Sequence, residues 1–250
     1  MRVSPIAEQI ATAFQFLTRV PLPEFSWSPY GLSRSAKFFP LVGLAIGTAA
    51  AALHLWSSPH FPRGIIAMLI VLFTVLITGG LHEDGLADVA DAFGGGRNRD
   101  HILGILKDSH IGSYGAIALI FSIASRILLL AVIPGNNFAR YVISAQVLCR
   151  WTVLPLGLLL PAARNKEGLG ARLAKQISFI SFTVGTLIAF SIAIFLLRLN
   201  VVGPTLMVLL LTLFSGLYYR WRIGGITGDC FGATIQLAEI AVYVCGAWCR

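Results

Sequence analysis

The chain has 250 residues, of which 56% are hydrophobic and only 12% are charged, and its mean hydropathy is +0.80. A soluble domain carries about 25% charged residues, so half the expected solvated surface is missing and residues 1–250 read as one lipid-embedded domain. Nineteen Lys and Arg against eleven Asp and Glu give a formal charge of +8; in so apolar a chain the excess reads as span-flanking charge, not as a nucleic-acid surface.

Ile6, Ile10, Phe14 and Leu17 recur at helical spacing and predict an amphipathic helix lying in the bilayer interface, ended by Pro21 and Pro23. No secretory signal pattern precedes the first strongly apolar run, which begins near Phe38. Seven apolar runs approach or reach the ~20 residues a helix needs to cross a bilayer. They fall at 38–56, 64–80, 113–133, 138–161, 177–197, 201–219 and 229–249. The fold expected is therefore an all-α, multi-pass bundle of about seven spans plus the interfacial helix. Gly43 and Gly47 in the first span stand at GxxxG spacing, which suits a close helix neighbour. With the N-terminus inside, the inside segments hold 13 Lys and Arg and the outside segments hold 4. That imbalance orients the N-terminus to the cytoplasm and the C-terminus outside. Cys149, Cys230, Cys245 and Cys249 form no CxxC and read as apolar filler.

Six of the eleven acids fall between 83 and 108: Glu83, Asp84, Asp88, Asp91, Asp100 and Asp108. If the second span continues as a helix through this run, Asp84, Asp88 and Asp91 stand at i, i+4 and i+7 on one face. Carboxylates stacked in this way repel one another unless a cation neutralises them. Hard oxygen donors suit Mg²⁺ or Mn²⁺, and Mg²⁺ is commonly held by a few carboxylates together with substrate phosphates. A solvated acidic helix end is the bland alternative. His82 adjoins the run on a face different from that of Asp84.

Gly94-Gly95-Gly96 and Arg97-Asn98-Arg99 follow, as a phosphate clamp or a plain flexible loop. Lys107, beside Asp108, reads either as a phosphate ligand or as a flanking charge. Gly224 to Asp229 opens the seventh span; a glycine-rich helix start is a phosphate-binding corner, here offered by Thr227 and Gly228. Asp229 is a further metal ligand or a helix cap. The charge count puts Asp229 at the same membrane face as the acidic run. We therefore expect the seventh span to pack beside the second, with Asp229 within about 10 Å of Asp84, Asp88 or Asp91. Arg126 and Arg150 lie inside spans, where an unpaired charge costs at least ~2.5–3.5 kcal/mol, so each should face the interior and pair with acids or an anionic substrate.

Five ordered motifs resemble the cobalamin synthase family, the adenosylcobinamide-GDP ribazoletransferases. They are Phe16 to Pro23, Phe39-Pro40-Leu41-Val42-Gly43, Gly79 to Asp91, Lys107 to Gly112, and Gly225 to Asp229. The resemblance covers essentially the whole chain. Glu83 stands where relatives often carry an apolar residue, which makes it either an extra metal ligand or a tolerated exception. His110 replaces a frequent Arg. The resemblance implies an Mg²⁺-dependent phosphotransferase of the bacterial inner membrane with its site facing the cytoplasm. Adenosylcobinamide-GDP and α-ribazole, or its 5′-phosphate, would give adenosylcobalamin, or its 5′-phosphate, and GMP. Asp84, Asp88, Asp91 and Asp229 are then catalytic, and Arg19, Lys107, Asp108, Ser109, Arg150, Thr227 and Gly228 bind substrate phosphate. The partners expected are these substrates and the lipid bilayer, with no nucleic acid; a homo-oligomer stays open beside a monomer. Two rival readings differ. In a CDP-alcohol phosphotransferase, the motif would need Asp where Leu81 stands and Arg where Asp88 stands. An ion-coupled transporter would not gather its acids at the surface.

Overall fold

The computed structural model describes residues 4–22, 31–164, 173–174 and 176–248. Cys249 and the basic residues Lys166, Arg172, Lys175 and Arg250 lie outside them, as do Arg2 and Pro23. The described residues are helical with no strand: α1 Pro5–Leu17, α2 Gly31–Ser35, α3 Phe39–Ser57, α4 Arg63–Thr78, α5 Leu81–Gly95, α6 Arg99–Ile105, α7 Ser113–Val132, α8 Gly135–Trp151, α9 Val153–Leu159, α10 Phe179–Leu197, α11 Val202–Ile223 and α12 Gly228–Trp248. An all-α multi-pass membrane bundle is what the hydropathy required.

Helix α1 starts where Ser4 accepts the Ala7 N–H through its hydroxyl and Pro5 opens the first turn. It stops at Leu17, four residues before Pro21, and buries Thr12, Ala13 and Leu17. In α3, Gly43 and Gly47 do seat a neighbour. A side chain at Gly43 would strike the Gln146 carbonyl, and a Cβ at Gly47 would lie 2.7 Å from the Ile143 Cα, both on α8. Lipid tails are as apolar as leucine, so such close backbone contact, not expulsion of water, draws these helices together. The expected span 138–161 is interrupted at Thr152. Pro155 offers no N–H to the Trp151 carbonyl, and the chain re-forms as α9.

Among the described residues, five helical segments are long and apolar enough to cross a membrane, six if α4 and α5 count as one bent span. One of the five, Phe179–Ile223, has 45 residues; at 1.5 Å per residue it is more than twice the ~30 Å hydrocarbon core, so it must turn back. It breaks at Arg198, which sits at φ 52°. Gly185 near the start of α10 packs on Leu154, and Gly216 near the end of α11 packs on Leu156, so the two helices return to the same neighbour, α9. The seven expected runs thus correspond to α3, α4, α7, α8 with α9, α10, α11 and α12.

The acidic run does not continue the second span. Helix α4 ends at Thr78 with the Gly79 N–H on the Leu76 carbonyl and the Gly80 N–H on the Val75 carbonyl, a Schellman-type cap. Gly79 and Gly80 are both left-handed, φ 66° and 70°, and α5 leaves at 89° to α4. With four carboxylates in 15 residues, α5 is too polar to face lipid, and it packs instead against α7 and α12.

Candidate active site

Helix α5 is held from both ends. At its start Gly85 packs on α12: a Cβ there would lie 2.8 Å from the Asp229 carbonyl oxygen and 3.2 Å from its Cα. Across the same contact, a Cβ on Gly232 would lie 3.4 Å from the Gly85 Cα. Glu83, expected as an extra metal ligand, points into the bundle. Its Oε1 lies 2.9 Å from Nη1 of Arg126 and accepts from Nε2 of Gln236 at 3.0 Å. Glu239 approaches the same guanidinium at 3.9 Å. Arg126 therefore pairs with acids, as its depth demands. At the far end Arg222 donates to the Phe93 and Gly96 carbonyls, at 3.3 and 2.9 Å, and closes the C-terminus of α5.

The acids of α5 then divide. Asp91 is spent on α7: its Oδ2 accepts the Gly112 N–H at 2.7 Å and its Oδ1 the Gly115 N–H at 2.9 Å. It acts as an N-cap supplied by another helix. Asp84 and Asp88 instead line an open cleft of 750 Å³ with Arg19, Ser109, Gly79 and Gly80. Arg19 is fixed there because its own N–H reaches the Ile77 carbonyl at 2.7 Å, and its side chain lies against Gly79. Asp88 has its carboxyl pushed up to about 6, first by burial and then by Asp84, Asp229 and Asp91.

A second, smaller cavity of 280 Å³ is lined by Asp84, Thr227, Gly228 and Asp229, together with His82 and Arg164. The Thr227 hydroxyl donates to Asp229 Oδ2 at 3.2 Å. Segment 161–164 roofs this cavity through Ile226, whose N–H donates to the Pro161 carbonyl at 2.9 Å and whose carbonyl accepts the Ala163 N–H at 3.0 Å. Asp84 belongs to the walls of both spaces. One Cα–Cα step of 3.80 Å and one C–C bond added to the Gly85 contact bound the Asp84–Asp229 Cα separation at about 8.5 Å. The two distant acidic segments do converge, but α12 packs on α5, the separate helix.

Other expected residues stand apart. Lys107 is exposed after α6 and lines neither cavity. Asp108 turns to His110, whose Nδ1 lies 2.6 Å from its carboxylate, which is held below the usual carboxylate range by that bond. Arg150 is buried among α8 side chains, with Nη1 on the Gln146 carbonyl at 3.0 Å and on its Oε1 at 2.6 Å. It serves the interior and does not reach the cavities. Two residues were missed. His82 shares the smaller cavity with Asp84 in spite of its different helix face, because that cavity wraps around the start of α5. Arg164 reads in the sequence only as one more basic residue after a span, and no local pattern ties it to Asp229.

Among the described residues no group of three or more His, Cys, Asp or Glu side chains forms a ready-made metal cage. The donor set nevertheless fits Mg²⁺. Asp84, Asp88 and Asp229 offer carboxylate oxygens that form no ion pair among the described residues, and Mg²⁺ characteristically takes one or two carboxylates plus phosphate and water oxygens.

Comparison with known proteins gives the chain a family. The family model described as cobalamin-5-phosphate synthase matches residues 9–247. A protein of Azorhizobium caulinodans described as adenosylcobinamide-GDP ribazoletransferase is 40% identical over 256 residues, covering 96% of this chain and 96% of that one. Proteins with the same description from Sinorhizobium medicae and Thermoanaerobacter pseudethanolicus are 37% and 32% identical; the alignments cover 94% of both chains in the first case, and 95% of this chain and 96% of the relative in the second. No solved structure gives a significant match. The chain belongs to the cobalamin-5-phosphate synthase family.

Proposed function

We propose that this chain transfers the adenosylcobinamide-phosphate group from adenosylcobinamide-GDP to α-ribazole or its 5′-phosphate. A ribose hydroxyl forms a new P–O bond at the phosphorus nearest cobinamide, the diphosphate P–O bond breaks, and GMP leaves. The products are adenosylcobalamin, or its 5′-phosphate, and GMP. The reaction takes place at the cytoplasmic face of the bacterial inner membrane, an orientation supported by the 13-to-4 split of basic residues.

The observation that carries this reading is the position of Asp84 in the walls of both cavities, next to the backbone of Asp229. A transfer between two substrates needs two adjoining compartments and a shared reacting edge. Asp84 and Asp88, with Asp229 from the opposite helix, would hold Mg²⁺. The chemistry such an ion supplies is neutralisation of diphosphate charge and polarisation of the phosphorus. Arg19, in the cleft, offers positive charge to the leaving phosphate. Whichever of these carboxylates is not engaged by the ion accepts the proton of the attacking hydroxyl. Asp91 and Glu83 act one step back, by fixing α5 on α7.

The test is GMP release by the purified protein in detergent, supplied with adenosylcobinamide-GDP and the ribazole acceptor. Release should require the acceptor, stop with a chelator and return with Mg²⁺. Acceptor-dependent release that persists in excess chelator would remove the metal from this account. Failure to release GMP under any condition would remove the reaction.

A further inference from the structure

The smaller cavity has a wall chemistry that its polar mouth does not explain. Leu17, Phe39, Val153, Phe231 and Ile235 are buried around it, each at most 4% exposed. Two nitrogens in its lining residues are buried without a hydrogen-bond partner among the described residues, Nε2 of His82 and Nε of Arg164. His82 is 4% exposed, and it stands close enough to the interior Arg126 and Arg150 to feel both charges. Arg164 is at the other side, within the field of Asp229 and with Nη2 on the Leu103 carbonyl at 2.7 Å. An apolar slot with a buried imidazole in its lining and a cation beside its acidic mouth is a shape with direction.

We propose that this cavity is the acceptor subsite, taking a benzimidazole ribonucleoside base-first with His82 Nε2 hydrogen-bonded to the free ring nitrogen and Arg164 beside the sugar or its phosphate. The assignment rests on the transferase reading given above and adds the question of which substrate lies where. Size decides against the corrinoid: 280 Å³ is at the lower edge of the roughly 300–1,000 Å³ of drug-sized sites, and a substituted corrin ring cannot enter it. Chemistry decides against guanine, whose several edge donors and acceptors would be left unpaired against five apolar side chains. A benzimidazole has a carbocyclic edge for that wall and one acceptor nitrogen for one donor. Its ribose then emerges at Asp84 and Asp229, where the attacking hydroxyl is needed, while the open 750 Å³ cleft across Asp84 receives the nucleotide-activated corrinoid.

The test uses the full-length protein in lipid nanodiscs, without corrinoid and without metal. Equilibrium binding of a benzimidazole ribonucleoside is compared with that of its indole analogue, which lacks the ring acceptor. The wild type should bind the benzimidazole at least tenfold more tightly, and His82→Ala should bind the two alike. Ile235→Trp, which fills the slot, should weaken both. In turnover, His82→Ala should raise KM for the acceptor about tenfold and leave KM for adenosylcobinamide-GDP unchanged. Retained corrinoid affinity shows that each variant is folded. Undiminished discrimination in His82→Ala, or a shift confined to the corrinoid KM, would overturn the subsite while acceptor-dependent GMP release left the transferase reading standing. Loss of the discrimination in a protein that released no GMP would sink that reading and keep the nucleoside site.

Discussion

Gly85 on α5 and Asp229 on α12 meet backbone to backbone: a side chain at 85 would enter within 2.8 Å of the Asp229 carbonyl oxygen. The glycine is what lets a carboxylate from the second half of the chain reach the acids of the first. Gly85→Ala should force the helices apart, costing about 1–3 kcal/mol as overpacking does, and lower turnover as Asp229 moves. Gly85→Val should do more. Gly64→Ala is the matched control, since nothing lies within 4 Å of a Cβ there. Thermal inactivation and GMP release measured together check this; a Gly85→Val protein as active as the control would separate Asp229 from the site.

The three stacked aspartates should not behave alike. Asp84 and Asp88 face the cleft, so Asp84→Asn and Asp88→Asn should cut turnover about 10²–10³-fold, the scale of losing one preorganised group at a reacting centre, with little change in melting. Asp91 has both oxygens on the N-terminus of α7. An amide there turns an NH₂ toward a backbone N–H and should cost about 0.5–2 kcal/mol of stability, like other lost caps. Its activity loss should track its melting temperature. Asp91→Asn with wild-type melting and no turnover would return Asp91 to the metal site.

Much of this was legible beforehand, and the failures share a cause. Gly43 and Gly47 announced their neighbour because close packing needs small residues at helical spacing, and Arg126 announced an acid because a charge in a span must be paired. The convergence of Asp229 on the acid run followed from charge counting. The separate helix α5 was hidden because the second span was expected to continue as a helix past Gly79-Gly80, which folds as a double left-handed corner. The different fates of Asp84 and Asp91 were also hidden. Helical spacing puts them on one face, and only the approach of Gly112 and Gly115 distinguishes them. Arg164 was invisible because its partners are Leu103, 61 positions away, and the cavity beside Asp229.

Glu83 and Arg126 form a buried pair in which each member depends on the other. Arg126→Met would leave Glu83 and Glu239 without their cation, and breaking such a buried pair costs about 3–5 kcal/mol. Glu83→Gln strands less charge because Glu239 remains beside Arg126. The double variant Glu83→Gln/Arg126→Met removes one charge of each sign and should recover a substantial part of the loss in Arg126→Met. Melting of the four proteins forms a double-mutant cycle; strictly additive effects would show that the contact at 2.9 Å is not an energetic pair.

Topology offers the last and most independent check, because the helix ends meet in two separate groups. Arg19 bonds the end of α4 through the Ile77 carbonyl, and Arg99 reaches the Ile223 and Ala163 carbonyls at 3.0 and 2.7 Å. Arg164 reaches Leu103, and Arg222 reaches Gly96. These bonds tie together the segments that the basic residues assign to the cytoplasm. At the other group, His54 stacks on Phe138 with ring centroids 3.7 Å apart, a Cβ on Gly203 would lie 3.8 Å from Cys245 Sγ, and Gly246 packs on Tyr141 and Ile133. Arg19, near the N-terminus, belongs to the first group and Gly246, near the C-terminus, to the second, which requires an odd number of crossings, and charge decides which group is inside. Reporters inserted at 97–98 and 224–225 should be cytoplasmic, and one fused after Trp248 should be outside. A cytoplasmic reporter at the C-terminus would mean an even number of crossings, and with α12 inverted Asp229 would no longer share a face with Asp84.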